Sequence, residues 1–282
     1  MALMVGIPTF LCLFFIWFPT ILSVGLSFTN WQGIGELTAK NFIGLKNYQV
    51  LFTQYPFFWP AVEHNVIWLL TFVFIATPLG IFLAVLLDRE MRGTRLYQSA
   101  FFLPVVLSLA LIGFIWQLMY SPDGFINGIL GRSGSDAIDF LGNPSINLFA
   151  VLVAASWRQA GYVMVLYLAG LKSVDPTLRE AAALDGANAS QTFFRVIFPV
   201  MRPINIVIVV VTVIESLRAF DIVYIINQGK NGLELLSVLI TNTSIGEAQL
   251  LGFGSAIAVV LLVVSLVPII IFLTRTMRED VG

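Results

Sequence analysis

From Val66 to Leu87 the chain reads VIWLLTFVFIATPLGIFLAVLL, a run without a single charged side chain. About 20 such residues, wound as a helix, cross a hydrocarbon core about 30 Å thick. The run is continuously apolar, whereas a barrel strand alternates polar and apolar residues over about 10 positions. Further apolar runs extend from Leu3 to Phe28, Leu96 to Met119, Ile146 to Leu171, Pro203 to Ile226 and Phe253 to Thr274, of which those from Ile146 and Pro203 contain charges. The expected fold class is therefore an all-α membrane protein with six transmembrane helices. Pro78, Pro104 and Pro268 fall inside these runs, where a missing N–H kinks a helix.

Composition agrees. The 282 residues are 58% hydrophobic and 11% charged, with a mean hydropathy of +0.92, whereas a soluble domain carries about a quarter charged residues. A formal net charge of −1 suggests neither nucleic acid nor an anionic surface by overall balance, so the electrostatic information lies in where the charges sit. The lone Cys12 excludes an intramolecular disulfide and a cysteine-based metal site, and is expected to be a small buried hydrophobe. The first run lacks the basic flank and small-residue cleavage site of a signal peptide, so it is expected to be a retained helix, with a cytoplasmic tail ahead of it.

Basic residues orient the spans, because short cytoplasmic loops collect Lys and Arg. One side holds Arg89, Arg92, Arg95, Lys172, Arg179, Arg195, Arg202, Arg275 and Arg278; the other holds Lys40, Lys46, Arg132 and Lys230. Both termini are thus expected in the cytoplasm, with loops 29–61, 120–145 and 227–252 outside.

The longest cytoplasmic connection, residues 172–202, contains two helix signals. Asp175 is a good N-cap with Pro176 at the first helical position, and Gly186 can supply the left-handed residue that ends the helix. A second short helix is expected to begin near Ser190, ahead of Phe193 and Phe194. An alanine-rich helix resting on the membrane would explain these caps, but not the wider spacing. Glu180-Ala181-Ala182, three residues, Gly186, nine residues, then Val196-Ile197-Phe198-Pro199 resembles the Glu-Ala-Ala signature of binding-protein-dependent ABC importer permeases. It departs only at Val196 and Phe198, both apolar exchanges.

The resemblance implies a type I importer permease fold. It divides the chain into a first transmembrane helix (1–28), an extracytoplasmic loop (29–61), the transmembrane domain (62–276) and a cytoplasmic tail (277–282). It also implies that loop 172–202 docks on a cytoplasmic ATPase subunit, with Glu180 as polar contact, Ala181 and Ala182 as close-packing face and Gly186 as the turn, Asp185 and Pro199 belonging to the same loop. Ser27-Phe28-Thr29-Asn30-Trp31, Phe42-Ile43-Gly44-Leu45-Lys46-Asn47-Tyr48, Asp185-Gly186-Ala187 and Ala219-Phe220-Asp221-Ile222-Val223-Tyr224 look like the carbohydrate branch, similar to maltose and glycerol-3-phosphate permeases. That branch often has Gly-Gly-Pro after the last fragment, where this chain has Gly229-Lys230-Asn231-Gly232. The partners implied are a second homologous permease, two ATPase subunits carrying ATP and magnesium, an extracytoplasmic solute-binding protein, a sugar substrate and the bilayer.

An ionisable group at bilayer depth costs about 2.5–3.5 kcal/mol on insertion scales, so it normally faces protein or a wet path. Glu215 and Arg218 stand at i, i+3, close enough to neutralise each other, and Arg158 lies near Gln159 and Tyr162. Two readings stand: a structural ion pair, or a translocation path in which Tyr167, Asn205 and Tyr224 also meet a sugar. His64, beside Glu63 and Asn65, is expected to be structural. No Walker phosphate loop and no His-Glu-x-x-His occurs, so no cofactor, metal or ATP hydrolysis is expected on this chain. An ion-coupled transporter using Glu215 is the first rival. An intramembrane enzyme using Asp221 or Glu215 is the second, but lacks a second catalytic group at a recognisable spacing.

Overall fold

The computed structural model describes residues 2–89, 93–246 and 249–279; Arg92 and residues 280–282 of the expected tail lie outside them. No strand occurs among the described residues, only an isolated bridge between Thr29 and Phe42. The principal helices are α1 (Met4–Leu26), α2 (Lys46–Thr53), α3 (Phe58–Leu87), α4 (Thr94–Val106), α5 (Leu109–Tyr120), α6 (Asn147–Ser173), α7 (Pro176–Leu184), α8 (Ala189–Val200), α9 (Arg202–Leu217), α10 (Asp221–Asn227), α11 (Leu236–Ser244) and α12 (Leu251–Glu279).

Among the described residues, four stretches are long and apolar enough to cross a membrane: Met4–Leu26, Phe58–Leu87, Leu109–Ile129 and Asn147–Ser173. The pair Ala189–Val200 and Arg202–Asn227, bent by 78°, makes a fifth if taken as one span. The sixth expected run lies within α12, whose described apolar stretch is Leu251–Val267. Two expected runs are not continuous. The third breaks after Val106, where Leu107 is extended and Ser108 starts a new helix by accepting from the Leu111 N–H at 3.2 Å. The fifth breaks between Leu217 and Asp221. A hydropathy run has no term for a hydroxyl cap or a backbone reversal, so it reads through both.

Pro78 acts through a different device from a simple kink, as do Pro19 and Pro199, whereas Pro104 sits inside α4 with no such turn. Among the described residues three π turns occur, Leu13–Trp17, Phe72–Ala76 and Phe193–Ile197, and each is followed two residues later by a proline: Pro19, Pro78 and Pro199. The residue before each proline donates five residues back, as in Thr77 N–H to Phe72 O. A proline ring crowds the carbonyl four residues back and offers no N–H, and one wider turn relieves both problems.

The chain divides into two compact units, residues 1–65 with 233–282 and residues 66–232. In the first, Leu51, Phe58, Ala61, Leu236, Leu239 and Ile257 form the core. Asn47 donates to Ser27 O and Thr29 O, both at 2.8 Å, and the Leu236 N–H donates to Asn65 Oδ1 at 3.0 Å. His64 Nδ1 lies 2.8 Å from Glu234 O; a carbonyl only accepts, so this nitrogen carries the proton and the ring is structural. Cys12 is exposed on α1, contrary to the expected burial, because in a bilayer an apolar side chain faces lipid as readily as protein.

The second unit is built on α6, with Val163, Met164, Tyr167 and Leu171 packed against Ala84 and Leu87 of α3 and Ile208 of α9. Small residues set the closeness. A Cβ placed on Gly80 would lie 2.6 Å from Ala160 O, and one on Gly170 2.7 Å from Met201 Cε. Lipid tails are as apolar as leucine, so helices in a membrane gain from such close contact more than from burial itself.

Candidate functional site

Loop 172–202 is a built structure. Asp175 Oδ1 accepts from Thr177 N–H at 2.9 Å, and this backbone bond, with the Thr177 hydroxyl, holds its carboxyl below the usual range. Helix α7 ends in a left-handed glycine, Gly186, at φ +78. Ala187 N–H donates to Ala182 O at 2.9 Å and Gly186 N–H to Ala183 O at 3.1 Å, the paired bonds that close a helix through a left-handed residue. The next helix is capped by Asn188 rather than near Ser190: Asn188 and Gln191 each accept the other's backbone N–H at 2.9 Å. Asparagine accepts as well as serine, and a glutamine three residues on completes a capping box.

An acid that sequence reasoning passed over ties this loop to the end of α3. Asp88, at the end of α3, is only 8% exposed and pairs with Lys172 at 3.0 Å and Arg179 at 2.7 Å. Burial pushes its carboxyl up, but hydrogen bonds and charge from Lys172 and Arg179 outweigh that and hold it below its ordinary value. Beside it, a cleft of about 320 Å³ lies between Asp88, Arg179, Ala183 and Phe193.

The two faces of α7 differ. Ala182 is 6% exposed and packs against its own chain, so it does not belong to the outer surface expected for it. Glu180, Ala181, Asp185 and Pro199 are exposed, and Leu184 is 89% exposed.

Within the spans, Glu215 pairs with Arg158, Nη1 to Oε2 at 3.5 Å, not with Arg218 one turn on. The reason is tertiary: α6 carries Arg158 alongside α9, while Arg218 lies beyond the last residue of α9, at its C-cap. Arg158, Glu215 and Arg218 line one cavity of about 190 Å³ together with Trp68, Phe72 and Asp221. Trp68 is buried, and its Nε1 and Arg158 Nε have no hydrogen-bond partner among the described residues. Gln159, Tyr162, Tyr167, Asn205 and Tyr224 do not line it. Gln159 donates to Thr212 at 3.4 Å, Asn205 to Phe198 O at 2.9 Å, Tyr167 is fully buried, and Tyr224 stacks on Phe220.

Comparison with known proteins places this architecture. The family of binding-protein-dependent transport system inner membrane components matches residues 76–279. The xylose/arabinose import permease XacH of Haloferax volcanii is 32% identical over 265 residues, covering 93% of this chain and 83% of its own. The osmoprotective compounds uptake permease GgtC of Synechocystis is 33% identical over 269 residues, 93% of each chain. Among solved structures, a bacterial alginate ABC transporter in complex with alginate pentasaccharide-bound periplasmic protein superposes with a TM-score of 0.83 at 22% identity, over 98% of this chain and 93% of that one. That likeness shows the type I importer permease fold.

Proposed function

Because the chain belongs to the family of binding-protein-dependent transport system inner membrane components, we propose that it is the permease subunit of an ATP-driven importer for sugars or sugar derivatives. The observation that carries the reading is the pinned loop, in which Glu180, Ala181 and Leu184 are presented outward while Asp88 holds α7 to the end of α3. A coupling element must transmit force, and ion pairs from α7 and the end of α6 to one carboxylate on α3 make it stiff. The chain carries no nucleotide motif. Hydrolysis therefore belongs to two cytoplasmic ATPase subunits, which bind ATP and magnesium. The spans pair with a second, homologous permease in the cell membrane, both termini lie in the cytoplasm, and an extracytoplasmic binding protein delivers the substrate.

The carbohydrate assignment is supported by relatives whose names specify xylose/arabinose and by the alginate importer. Aromatic faces and a guanidinium–carboxylate pair around the Arg158 cavity suit hydroxyl-rich solutes, which stack on rings and bond to charged edges. The test is ATP hydrolysis by the assembled transporter in vesicles. Glu180→Ala and Gly186→Val should each reduce substrate-stimulated hydrolysis and uptake at least about tenfold, about 1.4 kcal/mol of coupling, with the assembly still in the membrane. Uptake by this chain with no ATPase present would overturn the reading in favour of ion coupling.

A further inference from the structure

The geometry points to a binding site for an anionic phospholipid in the cleft between α4 and α6. This cleft, of about 620 Å³, opens at the end of the helices where Lys and Arg accumulate, with Arg95 on one wall and Lys172 on the other. Arg95, then Gln98 and Ser99, then Phe102 follow at i, i+3/i+4 and i+7 on α4. Lys172, Leu168 and Val165 follow at i, i−4 and i−7 on α6. Residues so spaced share one helix face. Both walls therefore grade in the same direction, from cation to apolar side chains two turns, about 10 Å, deeper, with an amide and a hydroxyl between them on α4 alone.

That gradient matches a phospholipid part for part. Arg95 has no ion-pair partner among the described residues, and a guanidinium binds phosphate oxygens in pairs. Lys172 gives protons to the Asp88 carboxylate at 3.0 Å and its carbonyl at 3.2 Å, and an ammonium has a third to give. Asp88 is also shared with Arg179 at 2.7 Å, so among the described residues two cations already offset its one charge, and Arg95 on the facing wall adds a further positive charge to the mouth. Gln98 and Ser99 stand at the depth of the glycerol ester oxygens, and Phe102, Leu168 and Val165 form the wall for an acyl chain. Further along, α4 and α6 come together at Gly161, where a Cβ would collide with Phe101 O and lie 3.1 Å from Val105 Cγ2. A free anion would leave the apolar wall unused, and a zwitterionic lipid would bring a cation to two cations. Basic pockets between membrane helices on the cytoplasmic side hold anionic head groups in this way. The site requires only that the chain lie in a bilayer and is independent of what is transported.

The test is native mass spectrometry of the assembled transporter extracted from nanodiscs of equal phosphatidylglycerol and phosphatidylcholine. Phosphatidylglycerol should remain on this chain in preference, by about fivefold for each engaged cation. Arg95→Gln should lower that preference about fivefold, and Ser99→Trp, which fills the cleft without changing charge, should remove the adduct. Both variants should melt within a few degrees of the parent. Equal retention of the two lipids, an unchanged preference in both variants, or release of the bound species by millimolar inorganic phosphate alone would overturn the site. So would a disulfide from a cysteine at 99 to the second permease in the resting assembly, which would make the cleft a protein seam.

Discussion

Loop 172–202 and the Arg158 cavity are both polar features of a mostly apolar chain, yet they are assembled by opposite rules. The loop is specified by neighbours in sequence: Asp175 caps two residues on, Gly186 closes the helix behind it, and Asn188 and Gln191 cap each other. The cavity is specified by distant segments, with Trp68, Arg158 and Glu215 coming from three helices. Local rules make an element that can move as a piece. Long-range pairing makes one whose parts fail together.

The sharpest way to break that contrast is a double-mutant cycle on the ion pair. Arg158→Leu or Glu215→Leu alone should destabilise the protein by about 1–3 kcal/mol, less than the about 3–5 kcal/mol of a fully buried pair, because the side chains are 22% and 33% exposed. The double variant should recover most of it in thermal melts. If uptake stays lost when stability returns, the pair faces the path; if uptake returns as well, it is structural.

A smaller effect tests the local rule. Asn188→Ala should cost about 1 kcal/mol, read as faster hydrogen exchange confined to residues 187–193, while Ser190→Ala should stay within about 0.5 kcal/mol. Equal losses would show that the cap is shared with Ser190.

The least effect is that of acid. Asp88 and Asp175 both titrate below the usual 3.8 when folded. Their contribution is present above that value and is lost as pH falls through the lowered folded values. Proteolytic nicking of the loop should therefore rise only below about pH 4, and Asp88→Asn should flatten that rise. A loop that loosens between pH 5 and 7 would contradict the sign.

These contrasts explain what was legible beforehand. Helix class, membrane character, the Asp175 cap and the Gly186 turn depend on composition and short spacing, and all were readable. The Asn188 cap was readable too, but a serine drew attention two residues away. The partner of Glu215 was not, because i, i+3 spacing proposes Arg218 and only packing of α6 against α9 brings Arg158 near. Asp88 was invisible for the same reason: Lys172 and Arg179 reach it from far along the chain. The breaks at Ser108 and between Leu217 and Asp221 were hidden inside apolar runs, where hydropathy averages over the backbone.

The π turn at Phe72–Ala76 also resets the phase of α3. Trp68, Phe72, Ala76 and Ala84 are all buried, as is Gly80, and they recur every fourth residue. On an ideal helical wheel each step of four overshoots by about 40°, so Ala84 would sit about 160° around from Trp68. One surplus residue in the wide turn takes back about 100° of that rotation. A stripe that would spiral off toward lipid is thus kept in line, and deleting a single residue there would misdirect half a helix without removing any contact-making side chain.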